Sequence, residues 1–182
     1  MTALTDRDAE QLASLVASAT SNELRTLSWV STSVELREND VLVREGDESS
    51  SIFLVIDGSL SASVSEDDET IELGAIGPGQ WIGEVSMLDP GPATATVMAK
   101  SNCRLLKLGR EEFDVLMRQN SALANRVIRS LCSMLIDRLR TTGKLIFAED
   151  QPAVTASAQT AKAKAWLISA YRQLLGIRGE RI

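Results

Sequence analysis

Apolar positions change their spacing twice along this chain, near residue 34 and again after Gly109. Before the first change, Leu15 and Val16 follow Leu12 by three and four residues, which predicts a short amphipathic helix over 5–19 with Thr5 as its N-cap. Leu24 and Leu27 mark a second helical turn beginning near Ser21. From Val34 onward the period is that of strands. Val34 and Leu36 alternate with polar residues, Glu38-Asn39-Asp40 reads as a turn, and Val41-Leu42-Val43 follows. After the turn Arg44-Glu45-Gly46-Asp47 comes the strand Ile52-Phe53-Leu54-Val55-Ile56. Asp57-Gly58 then reads as a hairpin dipeptide, because glycine tolerates positive φ. Leu60, Ala62 and Val64 alternate, an acidic turn spans 65–69, and Ile71 and Leu73 open another strand. Residues 96–99 and 104–108 supply the last two. Short, closely spaced strands with glycine-rich turns predict a sandwich or barrel rather than βαβ units.

Past Gly109 the period returns to that of a helix. Glu111-Glu112 open one that carries Phe113, Leu116 and Met117, and Asn120-Ser121 break it. A longer helix follows over 122–142, with Ala124, Ile128, Leu131, Leu135 and Leu139 at spacings of three or four. Such a seam pairs helices, and Val127 and Met134 beside it make it wider than a strict coiled coil needs. Gly143 is placed to end that helix or to bend it. The reading divides the chain into a domain over 1–145, a Pro152-containing linker over 146–158, and a terminal amphipathic helix over 159–182 with Trp166, Leu167, Ala170, Tyr171 and Leu174 on one face.

Composition narrows the chemistry. The chain has no histidine, which removes Ser-His-Asp and Cys-His catalysis, His-ligated haem and histidine metal sites together. Cys103 and Cys132 are too few for a disulfide framework or a four-thiolate cluster. The acidic run Glu66-Asp67-Asp68-Glu69 reads as a solvated turn, and neither a nucleophile–base pair nor a P-loop is present. A non-enzyme is expected. The net charge of −6 argues against general nucleic-acid binding, although Lys162, Lys164, Arg172, Arg178 and Arg181 gather near the C-terminus. No apolar run reaches the ~20 residues of a membrane span, and the charged start is unlike a secretory signal, so the expected location is the cytoplasm.

The most informative stretch is Gly77-Pro78-Gly79-Gln80-Trp81-Ile82-Gly83-Glu84-Val85-Ser86-Met87-Leu88, followed by Asp89-Pro90-Gly91-Pro92-Ala93-Thr94-Ala95-Thr96-Val97. A short helical turn from Gly83-Glu84 presents unpaired backbone N–H groups, which suit an anion. The stretch resembles the phosphate-binding cassette of the cyclic-nucleotide-binding domain, as in catabolite-activator-type regulators and kinase regulatory subunits. Arg44-Glu45-Gly46-Asp47, the 52–58 strand and turn, and Cys103-Arg104-Leu105-Leu106 extend the resemblance over about 24–145. It implies a mainly β fold with α: a double-stranded β-helix, or jelly-roll-like β-roll, flanked by N-terminal helices, a long C-terminal helix and a terminal helix. The ligand-binding residues it implies are Gly83, Glu84, Val85, Ser86, Ala93, Thr94 and Ala95, with Thr142, near Thr141, at the place that contacts the base. In that family Glu84 would accept from the ribose hydroxyl.

Ala93 departs from the pattern, because the family has an arginine there that pairs with the cyclic phosphate. Charge-assisted contacts of that kind contribute roughly 1.5–3 kcal/mol each, so cyclic AMP or cyclic GMP is expected to bind ~10 to 1,000-fold more weakly, or not at all. Between Arg44 and Lys100 there is no other lysine or arginine, which leaves Glu84 without a compensating cation in the loop. Arg126, Arg129 and Lys144 reach the loop only if the long helix brings them. Too few residues follow Thr142 for a winged helix-turn-helix, so direct DNA binding is not expected. The expected function is a stand-alone regulatory or sensor module that passes ligand binding to its C-terminal helices and a protein partner, as a homodimer. The alternative is a ligand-independent interaction adaptor with a degenerate nucleotide site.

Overall fold

In the computed structural model the described residues are 20–66, 69–89 and 91–147. The helix expected over 5–19, the terminal helix over 159–182 and the linker beyond Phe147 lie outside them. The first described helix, α1 (Ser21–Val30), is longer than the single turn expected. It starts at a capping box: the Thr20 hydroxyl accepts from the Glu23 N–H, and the Glu23 carboxylate accepts from the Thr20 N–H at 2.8 Å.

Among the described residues ten strands follow: β1 (Thr32–Leu36), β2 (Val41–Val43), β3 (Glu48–Ser49), β4 (Ser51–Asp57), β5 (Leu60–Glu66), β6 (Glu69–Ile76), β7 (Trp81–Ile82), β8 (Gly91–Pro92), β9 (Thr96–Ala99) and β10 (Cys103–Gly109). They form two four-stranded antiparallel sheets, ordered β1-β10-β4-β7 and β2-β9-β5-β6, and a small β3-β8 pair. The expected mainly β roll is present. Three of its strands, β3, β7 and β8, have two residues each and are too short to show a period in the sequence.

β4 explains why the two sheets exist. Every residue from Ser51 to Ile56 is buried, so the strand needs cover on both faces. Phe53 and Val55 point between the sheets, against Leu60, Ile76, Val97, Ala99 and Leu105. Ile52, Leu54 and Ile56 point outward to a second core, formed with Leu27 of α1, Leu106 and Leu108 of β10, and the C-terminal helices. Each such aliphatic side chain contributes about 1.5–3 kcal/mol of burial.

Asp57-Gly58 does make a turn, with Gly58 at φ +88, but not the expected hairpin. β4 and β5 belong to different sheets, so the turn carries the chain from one to the other. A Cβ on Gly58 would lie 2.4 Å from the Asn102 carbonyl oxygen, so this crossing admits only glycine. The true hairpin is β5–β6, in which Glu66 stands opposite Glu69.

Two more helices close the outer core, α3 (Arg110–Gln119) and α4 (Ser121–Phe147), with a short α2 (Glu84–Leu88) between β7 and β8. Asn120 ends α3, its N–H bonded to the Leu116 carbonyl, and starts α4, its side chain accepting from the Leu123 N–H. Gly143 neither ends α4 nor delimits it; the helix runs on to Phe147. The row of α4 in the core is Leu123, Ala124, Val127 and Leu131, with Met134 packed against it. Of the expected seam, Ala124 and Leu131 are buried, Ile128 and Leu135 half-buried, and Leu139 is 52% exposed. The helix therefore spends its first half on the roll. Among the described residues no helix is long and apolar enough to cross a membrane.

Arg126 of α4 reaches α1, where its Nε donates to Glu23 Oε1 at 3.1 Å. The hydrogen bonds from Thr20, and then Arg126, hold the Glu23 carboxyl below its ordinary value. A carboxyl depressed in the fold stabilises it fully above its unfolded pKa, about 4.3, and that stabilisation is lost as pH falls through the lower folded value. Acid unfolding followed by circular dichroism is expected to begin at higher pH in Thr20→Ala, and Glu23→Gln is expected to lose part of the wild-type stability decline below pH ~4.5.

Candidate functional site

A cavity of about 780 Å³ is lined by both sheets and α4, within the range of about 300–1,000 Å³ usual for small-molecule sites. Its walls are mostly apolar: Phe53 and Ile82 from one sheet, Val43, Ala62, Ile76 and Val97 from the other. Three polar segments converge on it. They are α2 with Gly83 before it, the loop 93–95, and one side of α4.

Gly83, Glu84, Val85, Ser86, Ala93, Thr94 and Ala95 all line this one cavity. Thr141 and Thr142 belong to α4, but their side chains lie outside what is described. Gly83 precedes α2 at φ +85 and ψ 14, the left-handed conformation, and a Cβ there would lie 2.4 Å from the Ser51 carbonyl oxygen. The glycine is thus required by the approach of α2 to β4. Glu84 and Ser86 are buried, whereas Val85 is 41% exposed. The far end of α2 is held by Arg110, whose Nη2 donates to the carbonyls of Ser86 at 3.0 Å and Met87 at 2.8 Å. A cation at a helix C-terminus meets the orphan carbonyls there.

Ala93 is tied by its backbone rather than its side chain. Its N–H donates to the Asp47 carbonyl and its carbonyl accepts from the Gly46 N–H, both at 2.8 Å. The Arg44–Asp47 turn thereby fixes the start of the 93–95 loop, and the Ala93 amide is not available to a ligand.

Glu84, which has no cation in its own loop, receives one from the long helix. Arg138 of α4 forms an ion pair with it, from Nη1 to Oε1, and donates from Nη2 to the Trp81 carbonyl at 3.1 Å. Arg126, considered for that part, serves α1 instead, and Arg129 is exposed and away from the cavity lining. Sequence reasoning missed Arg138 because it followed the seam through Ile128 and Leu135. The core-facing row Ala124, Val127, Leu131, Met134 steps next to 138, and a charged residue there was the available signal.

Trp81 was also missed as a site element. It is buried to 2% exposure, and α4 grips it at three points four residues apart. The indole N–H donates to Ser130 Oγ at 3.1 Å, its backbone N–H meets Met134 Sδ at 3.4 Å, and its carbonyl accepts from Arg138. Ser130, Ser133, Met134, Asp137 and Arg138 form the α4 wall of the cavity. Among the described residues no group of three or more His, Cys, Asp or Glu side chains is placed to hold a metal ion.

Residues 33–120 match the family model of the cyclic nucleotide-binding domain, and the roll with its α2 loop belongs to that family. The chain is 29% identical over 110 residues to the lysophospholipase nte1 of Neurospora crassa, a match covering 60% of this chain. It spans about 7% of the length of the curated relatives it matches, so the likeness concerns one domain of a much longer protein. A cyclic nucleotide-binding domain from Methylobacillus flagellatus has the same fold, with TM-score 0.73, 22% identity, and coverage of 82% of this chain and 88% of that one. The regulatory domain of Toxoplasma gondii PKA, solved with cAMP, aligns at TM-score 0.58 and 25% identity over 81% of this chain and 56% of that one.

Gly83→Ala is expected to lower stability by ~1–3 kcal/mol, the cost of a strained left-handed residue, with more from the clash at Ser51. Urea unfolding checks it, and a midpoint unchanged from wild type would contradict the close approach of Gly83 to the Ser51 carbonyl.

Proposed function

We propose that this cyclic nucleotide-binding domain is a regulatory sensor module that binds a cyclic mononucleotide and passes the event to α4 and a protein partner. The observation that carries the reading is the composition of the cavity wall. The α2 loop expected to hold the nucleotide and the helix expected to transmit the signal line the same space, and Trp81 bonds them together.

The chain's own residues suggest how transmission works. Glu84 Oε1 is engaged by Arg138, which leaves Oε2 to accept from a ribose hydroxyl. Thr94, exposed at the mouth, offers a hydroxyl to a phosphate. A ligand that touches Glu84 touches the Glu84–Arg138 pair, and through it the position of α4. Differential affinity for two placements of α4 is what makes the ligand a signal. Beyond the roll, α4 presents Ile136 and Leu139 at 46% and 52% exposure, apolar surface suited to a second subunit or to another protein. On this reading the module is a cytoplasmic, non-enzymatic homodimer that acts through protein contacts.

A second reading, an adaptor that kept the fold and gave up the ligand, draws on Ala93. Its methyl group cannot pair with a phosphate, and its amide is already committed to Asp47.

Calorimetric titration of cyclic AMP and cyclic GMP into wild type and Ala93→Arg separates the two readings. The sensor reading expects micromolar binding by wild type, with slower hydrogen exchange in α4 when the site is saturated. Binding gained only by Ala93→Arg, with wild type silent at millimolar ligand, is the outcome of the adaptor reading.

A further inference from the structure

The roll brings no cation to its own cavity. No lysine or arginine lies between Arg44 and Lys100, and the 93–95 loop begins with alanine. Among the described residues that line the cavity, Arg138 of α4 is the one positive side chain. Its guanidinium is aimed from two sides, by the Glu84 carboxylate and by the Trp81 carbonyl. A guanidinium carries five N–H donors in a planar fork, and those two contacts engage one hydrogen on each terminal nitrogen. The rest of the fork remains. The Arg138 side chain is 42% exposed, so it is not sealed within protein, while its partner Glu84 is 5% exposed.

We propose that Arg138 is the anion-binding residue of this cavity: the phosphate contact missing at Ala93 is made from the α4 wall, by a guanidinium that Glu84 and Trp81 hold in place. The inference rests on the reading of the cavity as a nucleotide site and names the group that recognises the phosphate.

Charge decides which phosphate fits. Glu84, Asp137 and Arg138 are the charged side chains of the lining, and Asp137 is also within 3.5 Å of Arg140 on the helix surface. One guanidinium already paired with a buried carboxylate leaves the pair with no net positive charge, so each further negative charge on a ligand adds to the cost of entry and must be met by the free N–H donors alone. A cyclic phosphodiester carries one charge, whereas a terminal phosphate monoester carries about 1.5 to 2 at pH 7. The cavity therefore selects the diester over the monoester, and both ring and ribose recognition stay with the apolar walls and Glu84. Because the phosphate contact comes from α4 itself, the ligand bridges helix and roll directly.

The test is a calorimetric titration of cyclic AMP, AMP and adenosine into wild type, Arg138→Gln, Arg138→Lys and the double variant Ala93→Arg/Arg138→Gln, with thermal melts to confirm folding. Wild type is expected to bind cyclic AMP more tightly than either AMP or adenosine. Arg138→Gln is expected to weaken cyclic AMP by ~10 to 100-fold while adenosine changes by less than about two-fold. Arg138→Lys, which keeps the charge and loses the fork, falls between and carries the test if the glutamine variant does not fold. The added Ala93→Arg is expected to recover cyclic AMP binding from the other wall.

Equal losses of cyclic AMP and adenosine would mean that Arg138 only positions α4, and would overturn the inference. Cyclic AMP binding that is indifferent to both substitutions at 138 overturns it too, and leaves the cavity a nucleotide site. Wild type binding none of the three ligands removes the nucleotide reading itself, and the inference with it.

Discussion

Burial of β4 on both faces is the constraint from which the rest of the molecule follows. A strand that hides Ile52, Leu54 and Ile56 on one side and Phe53 and Val55 on the other cannot stand at a surface. The inner face calls for a second sheet, and the outer face calls for helices. The helices that answer are α1, α3 and α4, so the same requirement that completes the core brings α4 alongside the roll. The cavity is lined by both sheets and by α4.

Trp81 is the point at which this packing becomes a site. It is the first residue of a two-residue strand beside β4, and its side chain belongs to the outer core. Its polar atoms, which burial obliges to find partners, find them on α4. Two residues farther on, Gly83 turns the chain in the left-handed conformation and sets Glu84 at the start of α2. The spacing from Trp81 to Glu84 is thus short enough that one arginine, Arg138, contacts both. A buried carboxylate without a partner is costly, and the Arg138 guanidinium, itself part exposed, supplies that partner. The ion pair therefore joins stability of the fold to placement of the helix.

The resemblance of the cassette implies a phosphate-binding arginine in the loop, at the position of Ala93 here. In this chain the loop is instead stitched to the Arg44–Asp47 turn through the Ala93 backbone, and the cation stands on the helix. On the proposed reading, a ligand that meets the cation of α4 makes helix position and ligand contact a single event.

Much was legible without coordinates. The switch of period at residue 34 and again after Gly109, the glycine-rich cassette and the order of its motifs determined the family, the roll, and seven residues that line one cavity. These are local signals, carried by neighbours a few positions apart. The role of Asp57-Gly58 was not legible, because the same dipeptide serves a hairpin or a crossing, and only strand pairing distinguishes them. Nor was the partner of Glu84. Residues 84 and 138 are brought together by a helix whose rotation about its axis depends on which row, Ile128 and Leu135 or Val127 and Met134, enters the core. Both rows are apolar, so the sequence left the rotation open. The outer face of β4 chose the row, and with it placed Arg138, rather than Arg126 or Arg129, in the cavity.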